Sequence, residues 1–160
     1  MIKSAVLSEC RKYRYELWRT WDDAKPYAMF IGLNPSTADE IEDDPTIRRC
    51  INFAKDWGYG GLCMTNLFAF RATQPEHMKK AKDPVGVRNN DTLLSLSRDA
   101  GVIVAAWGND GSFLSRSSKV KAILQNLAAL KVNKSGEPAY PIYKDYVHPF
   151  TSRLNILDQL

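Results

Sequence analysis

Three runs of consecutive apolar residues divide this chain, and each ends in polar residues. They cover positions 28–33, 61–67 and 102–107. Uninterrupted apolar runs of this length are typical of strands buried on both faces of a parallel sheet. Asn34, Asn66 and the Trp107-Gly108-Asn109 turn lie where these strands end. Ligands bind beyond the carboxyl ends of such strands, so we expect the chemistry at this edge of the sheet.

The segments between the runs predict helices. Pro45 suits a first helical position behind Asp44 as N-cap, and the apolar spacing that follows ends at Gly58. Residues 87–98 also have a helical pattern. Apolar residues at i, i+3, i+4 and i+7 predict a further helix over 120–130. Alternation over residues 13–17 predicts a half-buried edge strand, and residues 134–153, with three prolines, are expected to be irregular.

Strands that alternate with helices predict an α/β fold. The expected architecture is a three-layer α/β/α sandwich with a mostly parallel central sheet, formed by one domain over residues 1–160. A chain of 160 residues can bury one core, and its 44% hydrophobic and 25% charged residues are ordinary for a soluble protein. We expect a monomer.

Composition also bears on location and cofactors. No apolar segment is long enough to span a bilayer, and the first residues lack the apolar core of a signal peptide. The three cysteines are scattered and form no Cys-x-x-Cys pair, which argues against a disulfide framework or a zinc site. The sequence therefore predicts a reduced, cytoplasmic protein without a metal or other cofactor.

Charge is distributed unevenly along the chain. Five acidic residues lie within positions 39–44, which leaves 13 of the 18 acidic residues to face 22 basic ones elsewhere. A basic surface around one acidic pocket suits a polyanionic partner, although a mildly basic solvated surface has the same composition. We predict DNA as the partner, with no membrane association.

The turn after the first apolar run is the main candidate for chemistry. Asn34 cannot act as a general base, but its amide can hold a water or read the edge of a base. A strand-terminating Asn-Pro turn without function is the alternative. The late segment 146–153 can fold over the same edge and would bring His148, an aromatic ring and an arginine. Water held by an amide or carboxylate opposite a histidine suits hydrolysis of an N-glycosidic bond.

Three short motifs resemble the uracil-DNA glycosylase superfamily, closest to its mismatch-specific branch. Residues 32–36, Gly-Leu-Asn-Pro-Ser, resemble its first motif. Residues 65–67, Thr-Asn-Leu, resemble its second-strand motif. His148-Pro149 with Arg153 resembles the late His-Pro-Ser loop, which supplies the histidine for the leaving group. Ser36 stands where the glycosylase motif has a second glycine, and Phe-Thr follows His148-Pro149 where the family has Ser-Pro.

This resemblance implies a DNA glycosylase with a uracil-DNA-glycosylase-like fold. Asn34 would place the attacking water, Asp44 (or Asp43) would polarise it, and His148 would serve the departing base. The predicted substrate-binding residues are Gly32, Leu33, Pro35, Ser36, Asn66, Phe70 and Trp107. The predicted DNA-binding residues are Arg71, Lys134, Ser135, Phe150 and Arg153. Phe150 is the candidate wedge into the vacated stack.

Other motifs resemble a bacterial and phage family known only as domain of unknown function 1643. They are Asp44-Pro45-Thr46, Thr65-Asn66-Leu67-Phe68 with Arg71, Thr73 and Pro75, and Asp83-Pro84-Val85-Gly86 with Asn90-Asp91. The resemblance runs from about Arg14 to Tyr143. Its His-Pro-Leu-Tyr segment aligns with residues 140–143, so Tyr140 is an alternative to His148 for the leaving group.

The favoured hypothesis is a monofunctional glycosylase acting on a flipped, damaged or phage-type hypermodified pyrimidine, with a possible role in defence against phage. Ordinary uracil is the simpler substrate. A metal-dependent phosphoesterase that uses the acidic run is one alternative. A nucleic-acid-binding module without catalysis is another.

Overall fold

The structure is a computed structural model that describes residues 1–141 and the two-residue strand Asn155–Ile156. The strands are β1 (Ile2–Leu7), β2 (Arg14–Thr20), β3 (Tyr27–Gly32), β4 (Gly61–Asn66), β5 (Val102–Ala105), β6 (Leu127–Ala129) and β7 (Asn155–Ile156). The helices are α1 (Pro45–Asp56), α2 (Pro75–Lys79), α3 (Asn89–Ser97) and α4 (Arg116–Ile123), with an irregular 3-10 segment, Asn109–Ser115, before α4.

These strands form one mixed sheet in the order β1-β2-β4-β3-β5-β6-β7. The four strands β4, β3, β5 and β6 are parallel, whereas β1, β2 and β7 pair antiparallel with their neighbours. The prediction of a mostly parallel sheet is therefore wrong, and the fold is α/β with a mixed sheet. The connection between β1 and β2 is too short for a crossover helix, so these two strands must run antiparallel.

The predicted edge strand is not at the edge. β2 lies between β1 and β4. Its Leu17 and Arg19 side chains are completely buried. β1 covers the edge, and its residues are mostly exposed, so it lacks the apolar pattern by which an internal sheet strand is recognised.

The predicted helix over 120–130 is also wrong in its second half. α4 ends at Ile123, Asn126 adopts a left-handed φ of 61°, and β6 then pairs in parallel with β5. Leu127 and Leu130 belong to different core clusters on opposite faces of the sheet. A helix would have placed Leu127 and Leu130 on one face, whereas the extended backbone places them on opposite faces of the sheet.

The predicted strands β3, β4 and β5 and the predicted helices α1 and α3 are confirmed. Of the segment expected to be irregular, residues 142–153 lie outside the described residues. β3, β4 and β5 occupy the three apolar runs, and α3 lies within residues 87–98. The Asp44 carboxylate accepts a hydrogen bond of 2.9 Å from the backbone N–H of Ile47, so Asp44 is the N-cap of α1. After α1, Gly58 adopts a φ of 84°, the left-handed conformation that glycine provides at helix ends.

Two hydrophobic cores lie on the two faces of the sheet, because alternate residues of β3 point to opposite sides. Ala28 and Phe30 pack with α1, whereas Met29 and Ile31 belong to the core that takes in α2, α3 and α4. The central strands are thus buried on both faces, and their carboxyl ends open on one edge. Among residues 1–141 and 155–156, no helix has the length and apolar character to cross a membrane.

Candidate functional site at the carboxyl ends of β3 and β4

A small cavity of about 60 Å³ lies at the carboxyl ends of β3 and β4. Its lining comprises Arg14, Gly32, Leu33, Asn34, Pro35, Ser36, Asp44, Thr46, Ile47, Met64, Asn66, Ala106, Tyr140 and Pro141. Pockets that bury a whole drug-sized ligand measure roughly 300–1,000 Å³. This cavity is therefore sized for a small group rather than for a complete nucleotide.

The turn after β3 brings its backbone close to β4. A Cβ atom at Gly32 would lie 2.8 Å from Met64 Cε and 2.9 Å from Asn66 Oδ1, so a larger residue would displace the Asn66 side chain. The N–H groups of Leu67 and Phe68 donate to the carbonyls of Gly32 and Leu33, each at 2.9 Å. The two strand ends are thereby held together, which fixes the floor of the cavity.

Asn34 is held in one orientation by its amide nitrogen. Nδ2 donates to the carbonyl of Ala72 at 2.8 Å and to that of Pro35 at 3.1 Å. Both N–H bonds of the amide are therefore committed to the protein. The Oδ1 atom is left as the acceptor with which this half-buried side chain can hold a water.

Asp44, not Asp43, lines the cavity. Asp43 accepts a hydrogen bond of 2.7 Å from Arg19 Nε and pairs with Lys3 at 3.5 Å. Burial alone would raise the pKa of Asp43, but the hydrogen bond and charge of Arg19, aided by Lys3, outweigh it and the pKa is lowered. Asp43 is therefore committed to holding the loop, while Asp44 combines helix capping with a place in the cavity.

The other acidic residues of positions 39–44, which are Asp39, Glu40 and Glu42, make contacts that hold the loop in place. Arg19 Nη2 also donates to the carbonyls of Asp39 and Glu42, and Glu40 pairs with Arg11 at 3.0 Å. The Asp39 carboxylate accepts the N–H groups of Ile41 and Glu42, which lower its pKa. Over residues 1–141 and 155–156, no three His, Cys, Asp or Glu side chains form a group that could hold a metal ion.

Buried polar side chains hold the backbone at Asn66, the last residue of β4. Asn89 Nδ2 donates to the carbonyls of Asn66 and Leu67 at 2.8 and 2.9 Å, and Arg116 Nε donates to the Leu67 carbonyl at 2.8 Å. The Asn66 side chain is 2% exposed, and its Nδ2 has no hydrogen-bond partner among the described residues. The backbone at the end of β4 is thus held by three hydrogen bonds, and the Nδ2 donor of Asn66 is left without an acceptor.

Tyr140 closes the cavity opposite β3. Its ring lies against Gly108, where a Cβ would be 2.6 Å from Tyr140 Cε2 and where φ is 75°. Burial, aided by the negative charge of Asp110, raises the pKa of Tyr140 to about 12. The phenol therefore stays protonated at neutral pH and can donate a hydrogen bond.

A basic groove adjoins the cavity at Ser36, which lines both. The open groove measures about 660 Å³ and is lined by Arg11, Lys12, Ser36, Thr37, Phe70, Arg71, Ala72, Thr73 and His77. Ala72, whose carbonyl holds Asn34, also belongs to the groove. Cationic side chains in an open groove suit a phosphate backbone, and the shared wall connects this groove to the cavity.

Residues 14–142 match the family described as "Protein of unknown function (DUF1643)". The chain belongs to this family. The match confirms the family resemblance that the sequence motifs indicated from Arg14 onward. Neither the curated proteins nor the solved structures give a match.

Every residue that lines the cavity lies within the DUF1643 match. The cavity is thus part of the family's own domain. The structure brings together Asn34, Asp44 and Asn66 with the predicted residues of the turn after β3. Phe70 and Arg71 lie instead in the adjoining groove.

Trp107 is not brought to the cavity of this DUF1643 protein. The indole is completely buried in the core with α2, α3 and α4, and its Nε1 donates to Glu137 Oε2 at 3.0 Å. It has no exposed face on which a base could stack. Lys134 is exposed, and Ser135 Oγ donates to Asn109 Oδ1 at 2.6 Å. His148, Phe150 and Arg153 lie outside the described residues.

Sequence reasoning missed three buried polar residues that shape the site: Arg14, Asn89 and Arg116. The alternation over residues 13–17 places Arg14 on the polar side of a half-exposed strand, because alternation alone does not show that the loop after β3 reaches this side chain. Asn89 adjoins Asn90-Asp91, which the sequence marks only as part of a family motif. The signal available was the presence of polar residues in otherwise buried elements, which is costly unless they have partners.

Proposed function

We propose that this DUF1643 protein is a monofunctional DNA glycosylase. It would hydrolyse the N-glycosidic bond of a base flipped out of the helix and leave an abasic site, without a metal. The observation that supports the proposal is the convergence of Asn34, Asp44 and Asn66 on one cavity at the carboxyl ends of β3 and β4.

Asn34 and Asp44 would position the attacking water. Asn34 Oδ1 accepts one hydrogen bond from the water, and the Asp44 carboxylate accepts the other. As the water oxygen bonds to the sugar C1′, the bond from C1′ to the base nitrogen breaks, and its electron pair leaves with the base. The water proton passes to Asp44, which releases it to solvent, and the base leaves as an anion that takes up one proton from solvent water, so atoms and charges balance.

Asn66 and Tyr140 would act on the base. The unpartnered Nδ2 of Asn66 can donate to an acceptor on the base edge. The protonated phenol of Tyr140 can donate to the departing base at neutral pH. His148, which carries the corresponding role in the glycosylase resemblance, remains the alternative for this step.

The adjoining groove would hold the DNA backbone. Lys12 and Arg71 can contact phosphates while the base enters past Ser36 into the cavity. Extrusion of a base costs a few kcal/mol, least for a damaged or poorly stacked one, and this difference itself selects the substrate. A helix on one face of the sheet and three on the other agree with a three-layer α/β/α sandwich of the uracil-DNA-glycosylase type, which we include in the proposal.

The proposed substrate is a modified or damaged base. The resemblance to a bacterial and phage family favours a hypermodified pyrimidine of phage DNA and a role in defence. Uracil is the simpler candidate. Because the cavity is small, a bulky modification would have to extend towards the groove.

A base-release assay tests the proposal. Wild type and Asn34→Ala are incubated in EDTA with single- and double-stranded DNA containing uracil, mismatches or hypermodified pyrimidines, and abasic sites are scored by alkaline cleavage. Release by wild type and its loss in Asn34→Ala supports the glycosylase. Strand cleavage restored only by Mg²⁺ would indicate a phosphoesterase. DNA binding without release from any substrate, unchanged in Asn34→Ala, would indicate a binding module.

A further inference from the structure

Arg14 and Arg19 of β2 are both buried, but only Arg14 has a buried N–H group without a hydrogen-bond partner among the described residues. Arg19 is 0% exposed and makes four hydrogen bonds, to Asp43 and to three backbone carbonyls. Arg14 is 2% exposed, and its Nη1 donates to the Ala38 carbonyl at 2.8 Å. The Nε–H of Arg14 has no partner in the part of the chain that the structure describes.

A flip of the Arg14 guanidinium group cannot provide the acceptor that its Nε–H lacks. Its guanidinium carries only donors, so the free Nε–H needs an acceptor, whereas an amide can exchange its oxygen and nitrogen. A buried donor without an acceptor destabilises the protein, and more so when it is charged. Arg14 lines the cavity, as does Asn66, whose Nδ2 is also unpartnered. Two residues of the cavity wall therefore carry a buried donor that lacks an acceptor among the described residues, and only in Arg14 can a flip of the group not remove the deficit.

The charge of Arg14 persists at this position. Burial lowers the pKa of Arg14 to about 10, and the negative charge of Asp44 opposes this shift. The guanidinium is thus cationic at neutral pH. It is also poorly solvated, and a charge in such surroundings interacts more strongly with a ligand than one in water.

We propose that Arg14 is the cation that stabilises the departing base of the glycosylase reaction. This inference rests on the proposed function. As the C1′–N bond breaks, the electron pair stays on the base, and its negative charge spreads onto the ring carbonyl oxygens. The Nε–H of Arg14 donates to this charged oxygen. The interaction is stronger with the anion than with the bound neutral base, which is the condition for lowering the barrier.

Opposite charges would thereby serve the two ends of the breaking bond. The Asp44 carboxylate is placed for the water and for the positive charge that develops on the sugar, and Arg14 for the negative charge on the base. Both residues line the cavity. No histidine is required for this step, so the protein can stabilise the leaving group whether or not His148 contributes.

Binding of free bases tests the inference independently of turnover. The probes are 5-nitrouracil, which is anionic in mildly alkaline buffer because its nitro group acidifies the ring N–H, and uracil, which remains neutral there. We expect wild type to bind 5-nitrouracil about 10- to 100-fold more tightly than uracil. Arg14→Gln should lose this preference. Arg19→Gln, the matched control on the same strand, should keep it while lowering stability.

Equal binding of the two probes by wild type would overturn the inference, as would an unchanged preference in Arg14→Gln or an equal loss in Arg19→Gln. If Arg14→Gln does not fold, wild-type NMR decides: the Arg14 Nε–H signal should shift with 5-nitrouracil more than with uracil, and no shift overturns the role. Absence of base release from every DNA substrate, in contrast, would contradict the glycosylase proposal while leaving the anion site measurable.

Discussion

The Nδ2 atom of Asn34 donates a hydrogen bond of 2.8 Å to the carbonyl oxygen of Ala72. This bond fixes which end of the amide faces the protein and which is available to a ligand. It also ties the turn after β3 to the segment that forms the basic groove. The position of Asn34 therefore depends on two segments that are 38 residues apart in the chain.

Asn34→Asp should be more damaging to the fold than its small change in size suggests. The substitution replaces an N–H donor by a carboxylate oxygen facing the carbonyl of Ala72, so we expect a loss of about 1–3 kcal/mol in the free energy of unfolding. Urea denaturation at neutral pH measures it. Asn34→Ala leaves no charge against the carbonyl and should lose less. Equal stability of Asn34→Asp and wild type would contradict the orientation of the amide.

Asp44→Asn should separate capping from catalysis. Asparagine caps a helix about as well as aspartate, so the melting temperature should stay close to that of wild type. The negative charge is lost, and base release should fall about 10²- to 10⁴-fold. Asp44→Ala, the control, should lose about 1 kcal/mol of stability as well as activity. Full activity in Asp44→Asn would exclude Asp44 as the residue that polarises the water.

Asn89→Ala should weaken the end of β4. It removes both hydrogen bonds from Asn89 Nδ2 to the buried carbonyls of Asn66 and Leu67, so we expect a loss of about 2–3 kcal/mol in the free energy of unfolding. The adjacent Asn90 is exposed on the same helix and provides the control. Asn90→Ala should change stability by less than about 0.5 kcal/mol in the same denaturant titration. Similar losses in the two variants would show that the helix, not the hydrogen bonds, matters.

Stability should fall in acid partly through Asp43. Its pKa is lower in the folded protein than its ordinary value, so the folded state binds fewer protons than the unfolded state in acid. The stabilisation by Arg19 is therefore present above the ordinary pKa of 3.8 and is lost as pH falls through the lowered one. Asp43→Asn should lose about 1–3 kcal/mol at neutral pH and show a flatter acid dependence in denaturant titrations. A slope in acid equal to that of wild type would contradict the ion pair.

Lys12→Ala should weaken DNA binding in a salt-dependent manner. If Lys12 contacts one phosphate, its removal should reduce the slope of log K against log salt by about 1 and weaken binding to all sequences alike. Fluorescence anisotropy over a series of salt concentrations measures the slope. Lys119→Ala is the matched control, since Lys119 is exposed on α4 and lines neither the groove nor the cavity. An equal effect of the two substitutions would argue for general charge attraction rather than a defined groove.

The amino-acid sequence determined the elements whose signals are local. Apolar runs located β3, β4 and β5, and the Asp44-Pro45 pair located the start of α1, because burial on both faces and helix capping each leave a signature within a few residues. The sequence also indicated that Asn34 and Asn66 lie at the ends of two buried strands. From there, the meeting of parallel strand ends at one edge made a shared site predictable.

Tertiary structure alone decided what depends on distant neighbours. Leu124, Leu127 and Leu130 have helical spacing, yet β6 forms because pairing with β5 satisfies its backbone, and Leu127 in the strand and Leu130 just after it pack in different cores. Similarly, nothing local distinguishes Arg14 from Arg19. Arg19 donates to a loop that begins 20 residues later, whereas the Nε–H of Arg14 has no partner among the described residues. Burial and hydrogen-bond partners come from segments that only folding brings together.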